Sequence, residues 1–177
     1  RLRGVATVSG AIQRRLRERH VAEHSLGFGD LLRLTRDGLR QHPEIARAAG
    51  SRITLLLVDE FQDTSRVQCE LLLLLRERPE RNQARLPGAL PRAGDILPHG
   101  LVVVGDRKQS IYGFRGADVS VFSELATSLA GAAAAELLDL PQPAASTSEP
   151  PLAEVSTLVD SFRSDRAVVS AVNIVSE

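Results

Sequence analysis

The sequence has no methionine, one cysteine, one tyrosine, no net charge and no long apolar run, and each shortage removes a class of protein. With a single cysteine there is no internal disulfide, so stability has to come from packing. Cys69 lies in the leucine-rich segment Cys69 to Leu75, where a packed core thiol is expected rather than a reactive or metal-bound one. Basic and acidic residues both number 22, so no overall field draws the chain to nucleic acid. Any such contact has to come from a local surface. The apolar stretches fall short of the ~20 residues a membrane span needs, and no basic start leads into an apolar segment as in a signal peptide. A cytoplasmic location and no membrane partner are the expectation. A complete translation product starts with methionine, whereas this chain starts at Arg1 and stops at Glu177, so it reads as an internal piece of a longer protein.

What is present supports a folded core. At 177 residues and 43% hydrophobic content, a prior of roughly 150 residues per domain allows one domain and part of another. Ile53 to Val58 is a β-branched and leucine run, too short for a lone helix and apolar on both faces, as in a strand buried in a parallel sheet. Leu101 to Val104 repeats the pattern. Ser65 and Gln68 form a capping box that predicts a helix from about Arg66 to Arg78, before Pro79. Helices are also expected from Phe28 to about Leu39, with Asp30 near the start and Pro43 beyond the end, over Val119 to Ala130, and over Arg166 to Val175. Ala11 to His24 reads as an exposed amphipathic helix carrying Arg14, Arg15, Arg17 and Arg19, a cluster that solvation alone explains. Glu80 to Gly100 and Pro141 to Pro151 read as mobile surface insertions, and Val155 to Val159 as a strand. Strands alternating with helices predict βαβ units and an α/β fold.

The chemistry-bearing residues stand where these strands end. Leu55 to Val58 runs directly into Asp59 and Glu60, and in an open α/β sheet ligands bind beyond the carboxyl ends of the strands. There one acid can hold Mg²⁺ and the next can polarise an attacking water. Two solvated acids at a strand end explain the pair equally simply. Gly105 and Asp106 end the second strand, with glycine permitting close backbone approach and Asp106 facing the same crevice. Gln109 follows, a neutral amide able to donate and accept. Aromatics make up only 3% of the chain, yet Tyr112 and Phe114 share one polar, glycine-bearing loop with Arg115. Stacking on unpaired bases, worth roughly 1–3 kcal/mol per base, is a use for such a pair.

Asp59-Glu60-Phe61-Gln62-Asp63-Thr64 and Val104 to Asp118 together resemble motifs II and III of the UvrD/Rep/RecB-type superfamily 1 DNA helicases, and the second stretch leans toward the RecB and AddA group. Phe28 to Leu32 also resembles the helix start that precedes motif II there. Leu158 to Ser164 resembles motif IV, with Ser161 in place of its asparagine. The family often has tryptophan where Phe114 stands. The resemblance implies a RecA-like P-loop NTPase fold, a parallel sheet flanked by helices, present in part. It assigns Asp59 to Mg²⁺, Glu60 to the catalytic base, and Gln109 to sensing the γ-phosphate of ATP. It assigns Tyr112, Phe114 and Arg115 to DNA, Phe162 to stacking on the adenine, and Arg163 to the γ-phosphate. Ser164 would cap the following helix.

The resemblance further implies that residues 1–130 are part of a first RecA-like domain, 131–153 a flexible insertion or linker, and 154–177 the start of a second. No P-loop (motif I) occurs in the 177 residues, and nothing resembles motifs V and VI. The expected function is therefore that of a segment of an ATP-dependent 3′→5′ DNA helicase in repair and recombination. Its partners would be single-stranded DNA, duplex junctions and, in a helicase-nuclease, a partner subunit. The isolated chain is expected to be inactive. The alternative is a non-catalytic remnant that binds single-stranded DNA or a partner helicase.

Overall fold

Two short strands, Leu56–Val58 (β1) and Leu101–Val103 (β2), lie side by side in parallel, with Leu56 opposite Leu101, Leu57 opposite Val102 and Val58 opposite Val103. They belong to a computed structural model that describes residues 26–141, 151–160 and 164–176, together with Arg15 and Arg19. The expected helix around Ala11 to His24 lies outside the described residues, apart from those two arginines. Parallel neighbours need a long crossover, and here the chain between the strands supplies helices Arg66–Arg76 (α3) and Pro79–Ala84 (α4). Before β1 come Phe28–Gln41 (α1) and Pro43–Gly50 (α2); after β2 come Val119–Leu137 (α5) and Arg166–Ser176 (α6). The α/β class is as expected.

Local chemistry sets the helix starts. Asp30 accepts from the backbone N–H of Gly27 at 3.2 Å and opens α1, while Pro43, expected only to end a helix, also begins the next at its first position. Ser65 and Gln68 form the expected box: Gln68 Oε1 accepts from the Ser65 N–H at 2.9 Å, and Ser65 Oγ accepts from the Gln68 N–H at 3.4 Å. At α6 the cap is Asp165, whose carboxylate accepts from the Ala167 N–H at 2.8 Å, one residue beyond the predicted Ser164. Helix α5 extends past Ala130, but its backbone breaks at Gly131, where φ is 59° and ψ −133°. Glycine reaches this conformation without a Cβ clash.

The core forms on one face of the sheet. Leu56, Val58, Leu101 and Val103 pack against Cys69 and Leu72 of α3 and Val121 and Leu125 of α5. On the opposite face Leu55 and Leu57 are 59% and 60% exposed, and Val102 and Val104 are 42% and 38% exposed. Burial on both faces, expected from the unbroken apolar runs, therefore does not hold among the described residues. The runs carry apolar side chains to two faces, and α3 and α5 cover only one.

Two further expectations are corrected. Glu80 to Gly100 is folded rather than a mobile insertion. Ile96 is fully buried, and Glu77 and Arg85 pair at 2.9 Å with both side chains almost completely enclosed, while Asn82 donates to the same carboxylate at 2.8 Å. The charges that read as a surface loop satisfy one another inside the fold. Val155 to Val159 forms no strand, and Leu158 and Val159 are 87% and 84% exposed. A strand needs a ladder partner, and none is placed beside it among the described residues. The helix expected from Phe28 forms as α1, with Leu39 buried and Phe28, Leu31 and Leu34 exposed.

Candidate nucleotide and DNA site

Beyond the carboxyl end of β1 the chain turns sharply. Glu60 adopts the left-handed conformation, with φ 51° and ψ 42°, and its N–H donates to Asp59 Oδ1 at 2.8 Å. A non-glycine residue there costs about 1–2 kcal/mol and persists only where the surroundings hold it. A 3₁₀ turn, Phe61–Asp63, follows directly. Phe61 anchors the turn, because it is 1% exposed, its ring centroid lies 5.7 Å from that of Phe122 on α5, and its N–H donates to the Val104 carbonyl at 2.9 Å. That last bond ties the exit of β1 to the exit of β2.

The loop after β2 has the same design. Asp106 Oδ1 accepts from the Lys108 N–H at 2.9 Å, shaping a second 3₁₀ turn, Arg107–Gln109, and Asp106 Oδ2 accepts from Gln109 Nε2 at 3.1 Å. Arg107 leaves in the other direction and donates to the Leu138 carbonyl at 2.6 Å, at the end of α5. Asp59, Glu60, Asp106 and Gln109 are all solvent-exposed at this edge.

One residue quoted within motif II but given no role joins the two loops. Gln62 is 1% exposed; its Nε2 donates to Glu60 Oε2 at 2.6 Å and its Oε1 accepts from the Asp106 N–H at 2.9 Å. Its carbonyl accepts from Ser110 Oγ at 3.3 Å. Glu60, Gln62, Asp106 and Gln109 thus form a continuous chain of hydrogen bonds, to which Asp59 is attached through the Glu60 backbone. A three-residue turn has no period to read, so the one available signal was an amide directly after a core aromatic.

Past Gln109 the chain exposes Ile111, Tyr112 and Phe114, with Phe114 79% exposed. The Tyr112 and Phe114 rings lie 6.0 Å apart at 52°, a tilted pair on an open surface. The loop closes on α5 through Arg66, which contacts Asp118 at 3.2 Å and Glu124 at 3.1 Å, and through the Asp118 N–H, which donates to the Thr64 carbonyl at 3.3 Å. The Ser120 hydroxyl, aided by Arg66, holds the Asp118 carboxyl below its ordinary range, and Arg66 does the same for Glu124. Both acids are therefore charged at neutral pH and pair with Arg66 between α3 and the start of α5. Phe162, Arg163 and the side chain of Arg115 lie outside the described residues.

Among the described residues no helix is long and apolar enough to cross a membrane. Residues 3–130 match the family model described as the UvrD/REP helicase N-terminal domain. ATP-dependent DNA helicase UvrD1 of Mycobacterium leprae is 41% identical over 118 residues, which cover 67% of this chain and 14% of that protein. A component of the ATP-dependent helicase/nuclease of Streptococcus sanguinis is 35% identical over 107 residues, 60% of this chain and 7% of that protein. The RecBCD enzyme subunit RecB of Haemophilus influenzae is 31% identical over 114 residues, 63% of this chain and 8% of that protein. The chain spans a small part of the length of each relative. Motif chemistry, parallel strand pair and family match converge, and the chain belongs to the UvrD/Rep helicase family.

Proposed function

We propose that this chain is the part of an ATP-dependent DNA helicase that couples nucleotide hydrolysis to movement along single-stranded DNA in repair and recombination. The observation that carries the reading is the hydrogen-bonded chain from Glu60 through Gln62 and Asp106 to Gln109. It links an acid suited to activate water with an amide suited to read a phosphate, at the carboxyl end of a parallel strand pair where α/β folds bind nucleotides. The exposed Tyr112 and Phe114 pair begins three residues beyond that amide, so a change at the phosphate has a short path to bases stacked there. A RecA-like fold is the architecture this reading requires.

In this proposal Glu60 takes the proton of the attacking water, Gln109 senses the γ-phosphate, and Tyr112, Phe114 and Arg115 hold single-stranded DNA. Phe162 stacks on the adenine and Arg163 offsets charge on the transferring phosphoryl group. The donors fit Mg²⁺ arriving with ATP. No group of three or more His, Cys, Asp or Glu side chains is gathered for a metal among the described residues, and at nucleotide sites Mg²⁺ takes one or two carboxylates along with phosphates and waters. Asp59, exposed at the end of β1, is such a carboxylate, and the bound ion would supply charge neutralisation between phosphates. Translocation runs 3′→5′ in this reading, in the cytoplasm, alone or within a helicase-nuclease. The 177 residues by themselves, having no P-loop lysine or amides to cradle phosphates, turn over no ATP.

The test uses the full-length protein that carries this segment. Glu60→Gln is expected to keep ATP binding and lose DNA-stimulated phosphate release, while the unaltered protein unwinds duplexes bearing a 3′ single-stranded tail. Wild-type turnover in Glu60→Gln would overturn the assignment. DNA binding without any nucleotide turnover in the unaltered protein would assign a non-catalytic module instead.

A further inference from the structure

Gln62 links the acid to the sensing loop without a catalytic or ligand-binding role of its own, yet it is the most enclosed polar side chain beside them. It is 1% exposed and both ends of its amide are engaged, the nitrogen by Glu60 Oε2 at 2.6 Å and the oxygen by the Asp106 N–H at 2.9 Å. We propose that Gln62 is a positioning residue, one that aims the Glu60 carboxylate and keeps it in register with the Asp106–Gln109 turn. The inference rests on the helicase reading and deepens it.

Three features single out an amide here. Asp106 offers a donor and Glu60 an acceptor, and of the side chains of this length only glutamine accepts from one and donates to the other. Glutamate would lose the donor and place a second carboxylate against Glu60. The surroundings are also cut to fit: a Cβ on Gly105 would lie 2.7 Å from Gln62 Oε1, so the glycine leaves the room the amide oxygen occupies. Finally, the left-handed backbone of Glu60 gives its side chain a direction that the adjoining strand does not dictate. Gln62 supplies the fixed point. The carboxylate is exposed to solvent, and holding one of its oxygens restricts the rotamers through which it would otherwise move. Since Asp106 also holds Gln109, a shift of the sensing amide is passed through three hydrogen bonds to the acid.

The experiment compares Gln62→Met and Gln62→Glu, both close to glutamine in shape, with wild type, Glu60→Gln and the Glu60→Gln/Gln62→Met double variant, all in the full-length protein. Single-turnover ATP hydrolysis on saturating single-stranded DNA should fall about ten- to a hundredfold in each Gln62 variant. Equilibrium affinity for a non-hydrolysable ATP analogue should stay within about twofold, and the double variant should lose no more than Glu60→Gln alone, because both changes disable one device. Folded Gln62 variants hydrolysing at the wild-type rate would overturn the proposal. So would a loss of analogue affinity equal to the loss of rate, or additive losses in the double variant, which would mark a structural role. Wild-type hydrolysis by Glu60→Gln would sink the helicase reading itself, so the two failures are distinguishable. Should Gln62→Met not fold, Gln62→Glu decides.

Discussion

Oε1 of Gln62 stands where a side chain at residue 105 would begin. The separation from a Cβ built on Gly105 is 2.7 Å, and the Phe61 and Gln62 backbone nitrogens lie at 3.2 and 3.3 Å from the same point. A glycine is thus part of the contact between the two loops, as much as the hydrogen bonds that cross it.

Gly105→Ala should destabilise the fold by about 1–3 kcal/mol, since two of the three nearest atoms are backbone and yield only if the strand exits part. Chemical denaturation checks this. An unchanged midpoint and slope would mean the two exits are not packed as closely as described.

Phe114→Ala should leave stability within about 0.5 kcal/mol of wild type, because the ring is 79% exposed. In the full-length protein it should weaken binding of a single-stranded oligonucleotide by about 1–3 kcal/mol, roughly five- to 150-fold, in anisotropy titrations at matched salt. Equal affinity would remove Phe114 from the DNA surface.

Burial pushes the Cys69 thiol up to about 11 from an ordinary 9.0, so the folded state favours the neutral form. That contribution is complete below pH 9 and disappears as pH rises through about 11, where the folded thiol must ionise against its apolar surroundings. Stability should therefore decline across that window, and Cys69→Ala should flatten the decline. A thiol reagent at pH 8 should react slowly with the native chain and rapidly in denaturant; rapid native reaction would contradict a buried thiol.

Arg76, 5% exposed, donates to the carbonyls of Ile53 at 3.0 Å and Leu97 at 3.3 Å and also to that of His99, tying the approaches to both strands. Arg76→Met keeps the stem and removes the donors, leaving these carbonyls without their partner. A loss of about 1–3 kcal/mol is expected in denaturant melts. Wild-type stability would show that water replaces the guanidinium.

Much of this architecture was legible residue by residue. The capping box at Ser65 and Gln68, the acids ending β1, the glycine and aspartate after β2, and the core position of Cys69 all depend on neighbours within a few positions. Apolar period and cap chemistry encode such features, because helix turns and strand ends are short-range objects. The same locality misled the reading of Glu80 to Gly100: charge and proline signal a loop, whereas Arg85 and Asn82 there both donate to the Glu77 carboxylate in the interior.

The sequence alone determined both strands and their parallel pairing, the longer helices that follow Gly27, Ser65 and Asp118, and the set of chemical groups at the strand ends, but not α2 or α4. Folding in three dimensions decided which groups touch. Gln62 and Asp106 are 44 residues apart, Arg76 reaches carbonyls on two separate segments, and among the described residues only one face of the sheet gained a cover. No local pattern encodes such meetings, since they depend on where the crossover helices bring distant backbone together. The partner of a buried amide is set by packing geometry, while its need for one is already written in its chemistry.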